Sequence, residues 1–400
     1  MTEVVKMRIL CNAAGGFGHL YPLVSLARAL AESGHDVALA VPEYFAATAR
    51  ETGIETIALC ADGVAEPSAE YKALQDARLP VERGRIALGR YLDQGVRQVP
   101  ALLDAIASWQ PQLLVRETTA FAAWLAGEVA DLPVAVFDFA PTPGKLLAAT
   151  AGDLFGDARA AVGLAPDPKL ASLNRWLHLL SAPVGWFSPR VMGPTTHLFQ
   201  PIPEPAAAQA APEWLRGADD GWPFVYVTLG TFYNTTPGLF EMIFDVLRDA
   251  PVAALATVGR DVDPASFGRM PGHVRIERFV PQAAVLAHTD AVICHSGYGT
   301  LMGPLRRGIP VVTMPLGAAD DTPNAARVAA LGAGVALSAG ERSAGSLREA
   351  LNAVLTQPRY RQAAARVAAS MKGQPPMRAM VGFVERLGIE RMPVLGPVPA

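Results

Sequence analysis

Apolar residues run in short continuous blocks through both halves of the chain, and most blocks are followed by a turn and a helical pattern. The first block, MRILCNAA, leads through GGFGH into LYPLVSLARALAESG, where apolar residues recur at Leu23, Leu26, Ala27 and Leu30. Short apolar runs that alternate with helices are typical of parallel strands buried on both faces. The other predicted strands are DVALAVP, LLVRE and VAVFDF in the first half, and FVYVTLGT, AALATVG, VRIERFVP, AVICHS and PVVTMP in the second.

Two such series predict an α/β protein with two Rossmann-like domains. The stretch FQPIPEPAAAQAAPEW between them is rich in Pro and Ala and has no periodicity, which is typical of a linker. We therefore predict an N-terminal domain over 1–200, a linker over 201–222 and a second domain over 223–377. A helix or tail over 378–400, containing MVGFVERLG, is predicted to pack back on the first domain.

Two stretches, 60–100 and 141–195, fit this alternation poorly. We predict loops and helices there, on the face of the N-terminal domain. Long departures from a regular pattern are often functional. We therefore expect these segments to cover a ligand.

Composition narrows the class of protein further. A chain of 400 residues, 51% apolar and 18% charged, has enough apolar residues for two cores, and its net charge of −3 gives no basic footprint for nucleic acid. Cys11, Cys60 and Cys294 are too few and too far apart for a disulfide framework or a zinc site, so we predict buried thiols in a reducing compartment. No uncharged apolar run reaches the roughly 20 residues of a membrane span, and the sequence predicts a soluble, cytoplasmic protein.

The segment AVICHSGYGTLMGPLRRG suggests a phosphate site. His295 and Ser296 end a predicted strand, where ligands bind in open parallel sheets. Gly297 and Gly299 let the backbone approach a ligand closely, and the helix predicted to begin there presents unpaired N–H groups, with the Thr300 hydroxyl beside them. The alternative is a tight strand-to-helix turn with a structural histidine.

The same segment contains signals for the end of this helix. Arg306 and Arg307, followed by Gly308, favour a helix C-terminus there. Pro304 is expected to be tolerated only if it lies in the first turn of the helix.

Residues 278–334, from RFVPQ to LGAG, closely resemble the donor-binding signature of family 1, GT-B fold glycosyltransferases, particularly the bacterial enzymes that decorate natural products. The VPQ turn, the HSGYGT turn, the GIP strand, the acidic pair and the NAARV helix follow in the family's order. The segments GGFGHLYPLVSLARALAESGHDV and YVTLGT resemble other parts of the family. The resemblance implies a GT-B fold, with two Rossmann-like domains facing each other across a cleft.

This resemblance implies an enzyme of the hexosyltransferase type. Such an enzyme moves a sugar from a nucleoside diphosphate to an acceptor hydroxyl, usually with inversion. His19 matches the family's catalytic base, and Glu117 matches the carboxylate that orients it, although Asp is commoner there. Gly16 and Phe17 are predicted to bind the acceptor. The alternatives are a polar helix-start residue for His19 and a solvated strand end for Glu117.

The resemblance also assigns the donor site. Val280 is predicted to bond the base through its backbone, with Gln282 against the ring. No metal cluster is evident, and no cofactor is implied beyond the sugar nucleotide as co-substrate. The residues matched to the diphosphate are His295, Ser296, Gly297, Tyr298, Gly299 and Thr300, with Gly230 and Thr231 of a facing turn.

Two departures from the family bear on the donor. Gly303 stands where many members have a Glu that holds the ribose hydroxyls, which favours dTDP over UDP. Asp320 and Asp321 match an acidic residue and a following Gln that bind sugar hydroxyls, so paired carboxylates predict a deoxy- or aminodeoxy-sugar. Asp320 as a helix N-cap is the alternative.

Three other functions share this fold. A sugar-nucleotide 2-epimerase needs carboxylates placed for elimination, a lipid-linked cell-wall glycosyltransferase needs an apolar and basic surface, and a non-catalytic partner protein keeps only the fold. The segment WLHLLSAPVGWF, residues 176–187, is apolar enough to line a pocket for a flat acceptor. We predict a hydrophobic, aromatic or polyketide acceptor of antibiotic or other secondary metabolism by family analogy, and a homodimer is possible.

Overall fold

The predicted strands form two separate parallel sheets. Both are described from a computed structural model that covers residues 5–64, 80–139, 144–201, 221–230, 236–259, 262–316 and 320–396, without the side chains of residues 17, 80–83 and 144–146. The first sheet has the order β3-β2-β1-β4-β5-β6-β7 and the second the order β10-β9-β8-β11-β12-β13. The first comprises β1 (Arg8–Asn12), β2 (Asp36–Pro42), β3 (Glu55–Leu59), β4 (Leu113–Glu117), β5 (Val134–Asp138), β6 (Leu177–Ser181) and β7 (Thr196–Phe199). The second comprises β8 (Phe224–Thr228), β9 (Ala253–Thr257), β10 (Val274–Glu277), β11 (Ala291–Cys294), β12 (Val311–Thr313) and β13 (Gly334–Ala336).

Each sheet belongs to its own compact unit. One unit comprises residues 1–202 and 374–400, and the other residues 203–373. In the first unit the helices are α1 (Phe17–Glu32), α2 (Ala46–Arg50), α3 (Pro80–Trp109), α4 (Phe121–Val129) and α5 (Gly144–Ala161), with short 3₁₀ helices at Glu43–Phe45 and Pro189–Val191. The second unit contains α6 (Leu239–Arg248), α7 (Gln282–Val285), α8 (Tyr298–Arg306), α9 (Asp321–Leu331), α10 (Ala344–Thr356) and α11 (Pro358–Lys372), with 3₁₀ helices at Pro264–Phe267, Leu286–His288 and Ala339–Glu341. The last helix, α12 (Ala379–Glu390), returns to the first unit.

Burial of the strands on both faces explains the continuous apolar blocks. In β4 and β5 every residue is buried. Side chains of α1 and α12 pack on one face of the first sheet, and α3 and α4 lie against the other. Because each fully buried Leu, Val or Phe contributes about 1.5–3 kcal/mol of transfer free energy, these two layers hold the sheet between them.

The strand order reverses once in each sheet. In the first sheet β2 pairs one side of β1 and β4 pairs the other. In the second sheet β9 and β11 flank β8 in the same way. The loops that follow the two central strands therefore diverge, and a crevice opens at the carboxyl ends of β1 and β4 and of β8 and β11.

Several sequence predictions are wrong in detail. Residues 141–195 were expected to form loops and helices, yet they contain β6, which is buried throughout. Residues 177–181 of the predicted pocket lining are therefore part of the sheet. Cys11 and Cys294 are buried as predicted, but Cys60 is exposed because it directly follows the edge strand β3.

Pro304 also departs from the prediction, because it lies in the second half of α8 and not in its first turn. The helix ends with Arg307 as its C-cap, followed by Gly308 at φ 71°, where the sequence predicted its end. Among the described helices, none is both long and apolar enough to cross a bilayer.

Candidate functional site

The loop after β1 and the end of β4 meet where the strand order of the first sheet reverses. Gly15 and Gly16 have φ values of 92° and 156°, so the chain turns there in a backbone region that favours glycine. A Cβ atom at Gly15 would overlap the Tyr44 hydroxyl. The turn leads into α1, whose first turn carries His19.

His19 and Glu117 are in direct contact. The His19 Nδ1 atom lies 2.8 Å from Glu117 Oε2, and the two side chains are 28% and 0% exposed. The predicted pair is therefore close in space, and Glu117 is not a solvated strand end. A carboxylate accepts hydrogen bonds only, so it favours the imidazole tautomer with the proton on Nδ1.

The Glu117 carboxylate is held by backbone donors as well. The Ala14 N–H donates to Oε1 at 3.0 Å and the Thr119 N–H to Oε2 at 2.8 Å. Burial by itself raises the pKa of Glu117, but the charge and hydrogen bond of His19, with these two N–H groups, lower it overall. Glu117 is therefore a carboxylate at neutral pH.

Thr119 is a functional candidate that the sequence analysis missed. Its hydroxyl lies 3.0 and 3.1 Å from the two Glu117 carboxylate oxygens and 3.3 Å from His19 Nδ1. The side chain thus contacts both members of the pair. Its position two residues after Glu117 was the only signal in the sequence.

Two aromatic rings flank His19. The centroids of Tyr91, on α3, and Phe139, after β5, lie 6.1 and 5.5 Å from that of the imidazole. Gly16, predicted to bind the acceptor, precedes the same helix, and an added Cβ there would lie 3.7 Å from His19. Phe17 is the first residue of α1, and its side chain lies outside the described part.

A second polar layer lies beside the pair. Thr118 donates to Asp138 Oδ1 at 2.9 Å, and His178 Nε2 lies 3.1 Å from Asp138 Oδ2. Arg116, on β4, is buried, and burial lowers its pKa to about 10 against the opposing charges of Asp138 and Glu117. Its guanidinium donates to the carbonyls of Glu117 and Thr118 at 3.1 and 3.0 Å, which fixes the backbone that carries the Glu117 carboxylate.

In the second unit, the reversal point of the sheet places His295 between two glycines. A Cβ atom at Gly230 would lie 2.7 Å from the imidazole Cε1, and one at Gly297 would overlap Nε2. Gly230 also has a φ of 85°. Both positions therefore require glycine while His295 keeps its place. Thr231, predicted beside Gly230, lies outside the described residues.

His295 is a neutral imidazole at physiological pH. Burial lowers its pKa to about 4, and the opposing effects of the Asp320 charge and the Thr228 backbone are smaller. Its Nδ1 atom is buried and has no hydrogen-bond partner among the described residues. A buried polar atom of this kind costs free energy until a partner arrives.

The turn after His295 leads directly into α8. Ser296 has a φ of 71°, and its buried hydroxyl donates to the Asp321 carbonyl at 2.8 Å, so this serine links the turn to the start of α9. Gly297 is the N-cap, so the first N–H groups of α8 belong to Tyr298, Gly299 and Thr300. Such groups have no partner within the helix.

The predicted acidic pair is divided between two environments. Asp320 is partly exposed and accepts hydrogen bonds from the Tyr298 N–H and the Asn324 side chain, both at 3.1 Å. It occupies the N-cap position of α9, but its side chain makes no capping bond there. Asp321 is fully buried and accepts from the Leu316 N–H at 3.0 Å, so its carboxylate faces the fold.

The turn between β10 and α7 carries the residues predicted to bind the base. Val280 is 6% exposed, whereas Phe279 beside it is 74% exposed. The Gln282 side chain donates to the Thr300 carbonyl at 3.0 Å. Phe279 was not considered in the sequence analysis, and its aromatic ring is exposed in the structure.

Comparisons with known proteins agree with this architecture. Residues 254–387 match the family described as Erythromycin biosynthesis protein CIII-like, C-terminal domain. The chain is 30% identical to 4'-demethylrebeccamycin synthase of Lentzea aerocolonigenes, over 95% of this chain and 99% of that protein. It is 29% identical to demethyllactenocin mycarosyltransferase of Streptomyces fradiae, over 91% of this chain and 83% of that one.

Solved structures show the same fold. The glycosyltransferase VinC, crystallised in complex with dTDP, superposes with a TM-score of 0.79 at 22% identity, over 96% of this chain and 100% of that one. The two parallel α/β units and this neighbour show the GT-B fold. The chain belongs to the family of natural-product glycosyltransferases that includes the Lentzea and Streptomyces relatives. It is an enzyme, and the non-catalytic alternative is thereby excluded.

Proposed function

We propose that this protein is an inverting, metal-independent glycosyltransferase. It transfers a deoxy- or aminodeoxy-sugar from a dTDP donor to a hydroxyl group of a hydrophobic natural product. The acceptor scaffold is aromatic or a polyketide. The observation that carries this proposal is the 2.8 Å contact between His19 Nδ1 and the buried, ionised Glu117.

The pair supplies a general base. With the proton held on Nδ1 by Glu117, Nε2 is the ring nitrogen that carries the lone pair and can remove the proton of an acceptor hydroxyl. The acceptor oxygen then bonds to the anomeric carbon while the bond from that carbon to the β-phosphate oxygen breaks. The electron pair leaves with dTDP, and a single displacement of this kind inverts the anomeric centre.

The second unit provides the site for the diphosphate. The Gly299 and Thr300 N–H groups in the first turn of α8 and the neutral His295 imidazole can donate hydrogen bonds to phosphate oxygens, and Gly297 keeps the approach open. Fixed donors of this type stabilise the leaving charge. Among the described residues, no three His, Cys, Asp or Glu side chains are grouped so as to hold a metal ion.

Three features support dTDP and its sugar. Gly303 provides no carboxylate for a ribose 2′-hydroxyl, and the exposed Phe279 ring is available to stack on thymine. Asp320 is the proposed contact for sugar hydroxyl or amino groups, whereas Asp321 supports the loop from inside. The dTDP complex of VinC and the mycarosyltransferase relative favour the same donor class.

The acceptor is proposed to bind at the first unit. Tyr91 and Phe139 present aromatic rings whose centroids lie 6.1 and 5.5 Å from that of His19. A flat or apolar scaffold packs against such rings while one hydroxyl reaches Nε2. Gly16 leaves room for this approach.

The test is a donor and acceptor panel with analysis of the products. Purified protein is incubated with dTDP-deoxysugars or UDP-glucose and with phenolic and macrolide acceptors, in EDTA or in Mg²⁺. Mass spectrometry measures turnover, and proton couplings identify the anomer. We expect faster turnover of a dTDP-deoxysugar, inversion, and equal rates in EDTA and Mg²⁺.

Each part of the proposal has its own contrary result. Equal turnover of UDP-glucose contradicts the donor assignment, a retained anomer contradicts the inverting mechanism, and loss of activity in EDTA contradicts metal independence. Epimerised sugar nucleotide formed without acceptor would favour the 2-epimerase alternative.

A further inference from the structure

The position of Pro304 inside α8 leaves one backbone carbonyl without its helical donor. In an α-helix the N–H of residue 304 would bond the carbonyl of Thr300, but proline has no N–H. The Thr300 carbonyl instead accepts from the Gln282 side-chain nitrogen at 3.0 Å. A side chain from the base-binding turn therefore replaces the missing backbone donor.

Gly303 makes this contact possible. A Cβ atom at Gly303 would lie 2.9 Å from Leu286 Cδ1 and 3.3 Å from both Cδ and Nε2 of Gln282. These distances are shorter than ordinary van der Waals contacts. A larger residue would have to displace the ends of the Leu286 and Gln282 side chains, which would disturb the bond from Gln282 to Thr300.

A reciprocal bond joins the same two segments. Arg307, the C-cap of α8, donates to the carbonyl of Ala283 in α7 at 3.2 Å. One side chain thus crosses in each direction. The Arg307 bond is exposed and contributes less than the partly buried Gln282 bond.

We propose that Gln282, Gly303 and Pro304 form a brace that holds the base-binding turn in register with the phosphate-binding end of α8. Gln282 is then a positioning residue, because one N–H of its amide group is held by the Thr300 carbonyl and joins the two segments. The functional part rests on the proposed donor site. Both ends of a nucleoside diphosphate bind well only if the two segments keep a fixed spacing.

Pro304 offers a direct test, because Pro304→Ala returns an N–H to the helix. We expect Gln282→Leu to lower the melting temperature of the ligand-free protein and to raise the Kd for dTDP about three- to tenfold. In the double variant Gln282→Leu/Pro304→Ala, the backbone N–H restored at position 304 bonds the Thr300 carbonyl. The Kd for dTDP should then return to within about twofold of the wild-type value, and the melting temperature to within about one degree.

Two further variants complete the design. Gln362→Leu, on the exposed side of α11, makes the same substitution away from the brace and should change neither value. Gly303→Ala should raise the Kd for dTDP, because the added methyl group crowds the Gln282 side chain and disturbs its bond to Thr300.

The outcomes distinguish the possible failures. If Pro304→Ala restores stability but not dTDP affinity, Gln282 contacts the nucleotide directly and the brace proposal is wrong. If Gln282→Leu changes neither stability nor affinity, the brace is also wrong. If the wild type does not bind dTDP, the donor-site proposal fails, and the ligand-free melting temperatures still decide whether the brace holds the two segments.

Discussion

The two reversal points of this protein share one topology and differ in their chemistry. At the first, the turn after β1 leads to His19 and β4 ends at the ionised Glu117, whose carboxylate accepts hydrogen bonds from the N–H groups of Ala14 and Thr119. At the second, β8 and β11 end at Gly230 and the neutral His295, which is surrounded by glycines. One therefore suits proton transfer and the other suits an incoming anion.

The difference shows that the fold sets where each crevice forms, whereas the side chains at its rim set the chemistry. The reversal of the strand order creates a crevice in each sheet. A carboxylate beside an imidazole makes a base. An imidazole that is not hydrogen-bonded to a carboxylate, next to a helix N-terminus, makes a set of hydrogen-bond donors.

The largest effect should come from His19→Ala. We expect transfer to fall about 10²- to 10⁴-fold because the general base is lost. Donor binding should not change, since His19 belongs to the first unit. The rate is measured with an acceptor that the wild type glycosylates, and dTDP binding is measured by calorimetry. An unchanged rate would show that the base lies elsewhere.

Gly297→Ala should produce the opposite pattern. The added methyl group would overlap His295 Nε2 and displace the imidazole. We expect the Kd for dTDP to rise at least about tenfold, equivalent to 1.4 kcal/mol. Gly345→Ala, at a helical glycine with its nearest neighbour at 3.7 Å, is the matched control and should bind dTDP normally. Equal affinities of the two variants would exclude His295 from the donor site.

A smaller effect is expected from Thr119→Val, which removes the hydroxyl and keeps the backbone N–H. The contacts to both Glu117 oxygens and to His19 Nδ1 are lost, so kcat should fall about three- to tenfold with unchanged donor affinity. Imidazole ¹⁵N shifts should show a larger share of the Nε2-protonated tautomer.

Two companion variants separate positioning from general destabilisation. Thr119→Ser should restore kcat, and Thr118→Val, which loses a comparable bond to Asp138, should leave the ¹⁵N shifts unchanged. If Thr118→Val shifts the tautomer equally, Thr119 has no special role.

The smallest effect concerns stability and pH. The folded pKa of His295 is depressed to about 4 from 6.5, so the unfolded chain takes up a proton first as the pH falls. The second unit should therefore be fully stabilised above pH 6.5 and lose stability as the pH falls towards 4. The depressed pKa of Glu117 acts in the same direction only below its unfolded value of 4.5.

Hydrogen exchange can separate the two reversal points. As the pH falls from 6.5 to 4.5, peptides around residues 291–300 should lose protection against hydrogen exchange. Peptides around residues 113–120 should keep theirs. His295→Gln should remove this slope. A slope that persists in the variant would point to another group.

The positions of the central strands were largely readable from the sequence, for a physical reason, whereas β3, β6, β7 and β13 were not predicted. Blocks such as LLVRE and VAVFDF are buried on both faces, so their composition alone marks them as interior parallel strands. Residues 177–181 were harder, because LHLLS includes His178, whose polarity is satisfied by Asp138 and Thr196 only after folding.

The candidate site also has residues that the sequence could predict and residues that it could not. His19, Glu117, His295 and the glycine turn carry local signals and a family resemblance, and the structure brings His19 to Glu117. Thr119 and Phe279 carry no such signal, since a threonine in a turn or a phenylalanine near a strand has many uses. Their contacts and exposure are properties of the folded chain.

The sequence by itself determined two α/β units, the strands at their centres and the residue types at the strand ends. The reason is that apolar blocks and helical periodicity are patterns of residues adjacent in the chain. Tertiary structure alone decided that Asp321 is buried while Asp320 faces the turn, and that Gln282 reaches the carbonyl that Pro304 leaves free. The physical reason is that these outcomes depend on hydrogen bonds between segments that are separate in the chain, such as Gln282 to Thr300 and Tyr298 to Asp320.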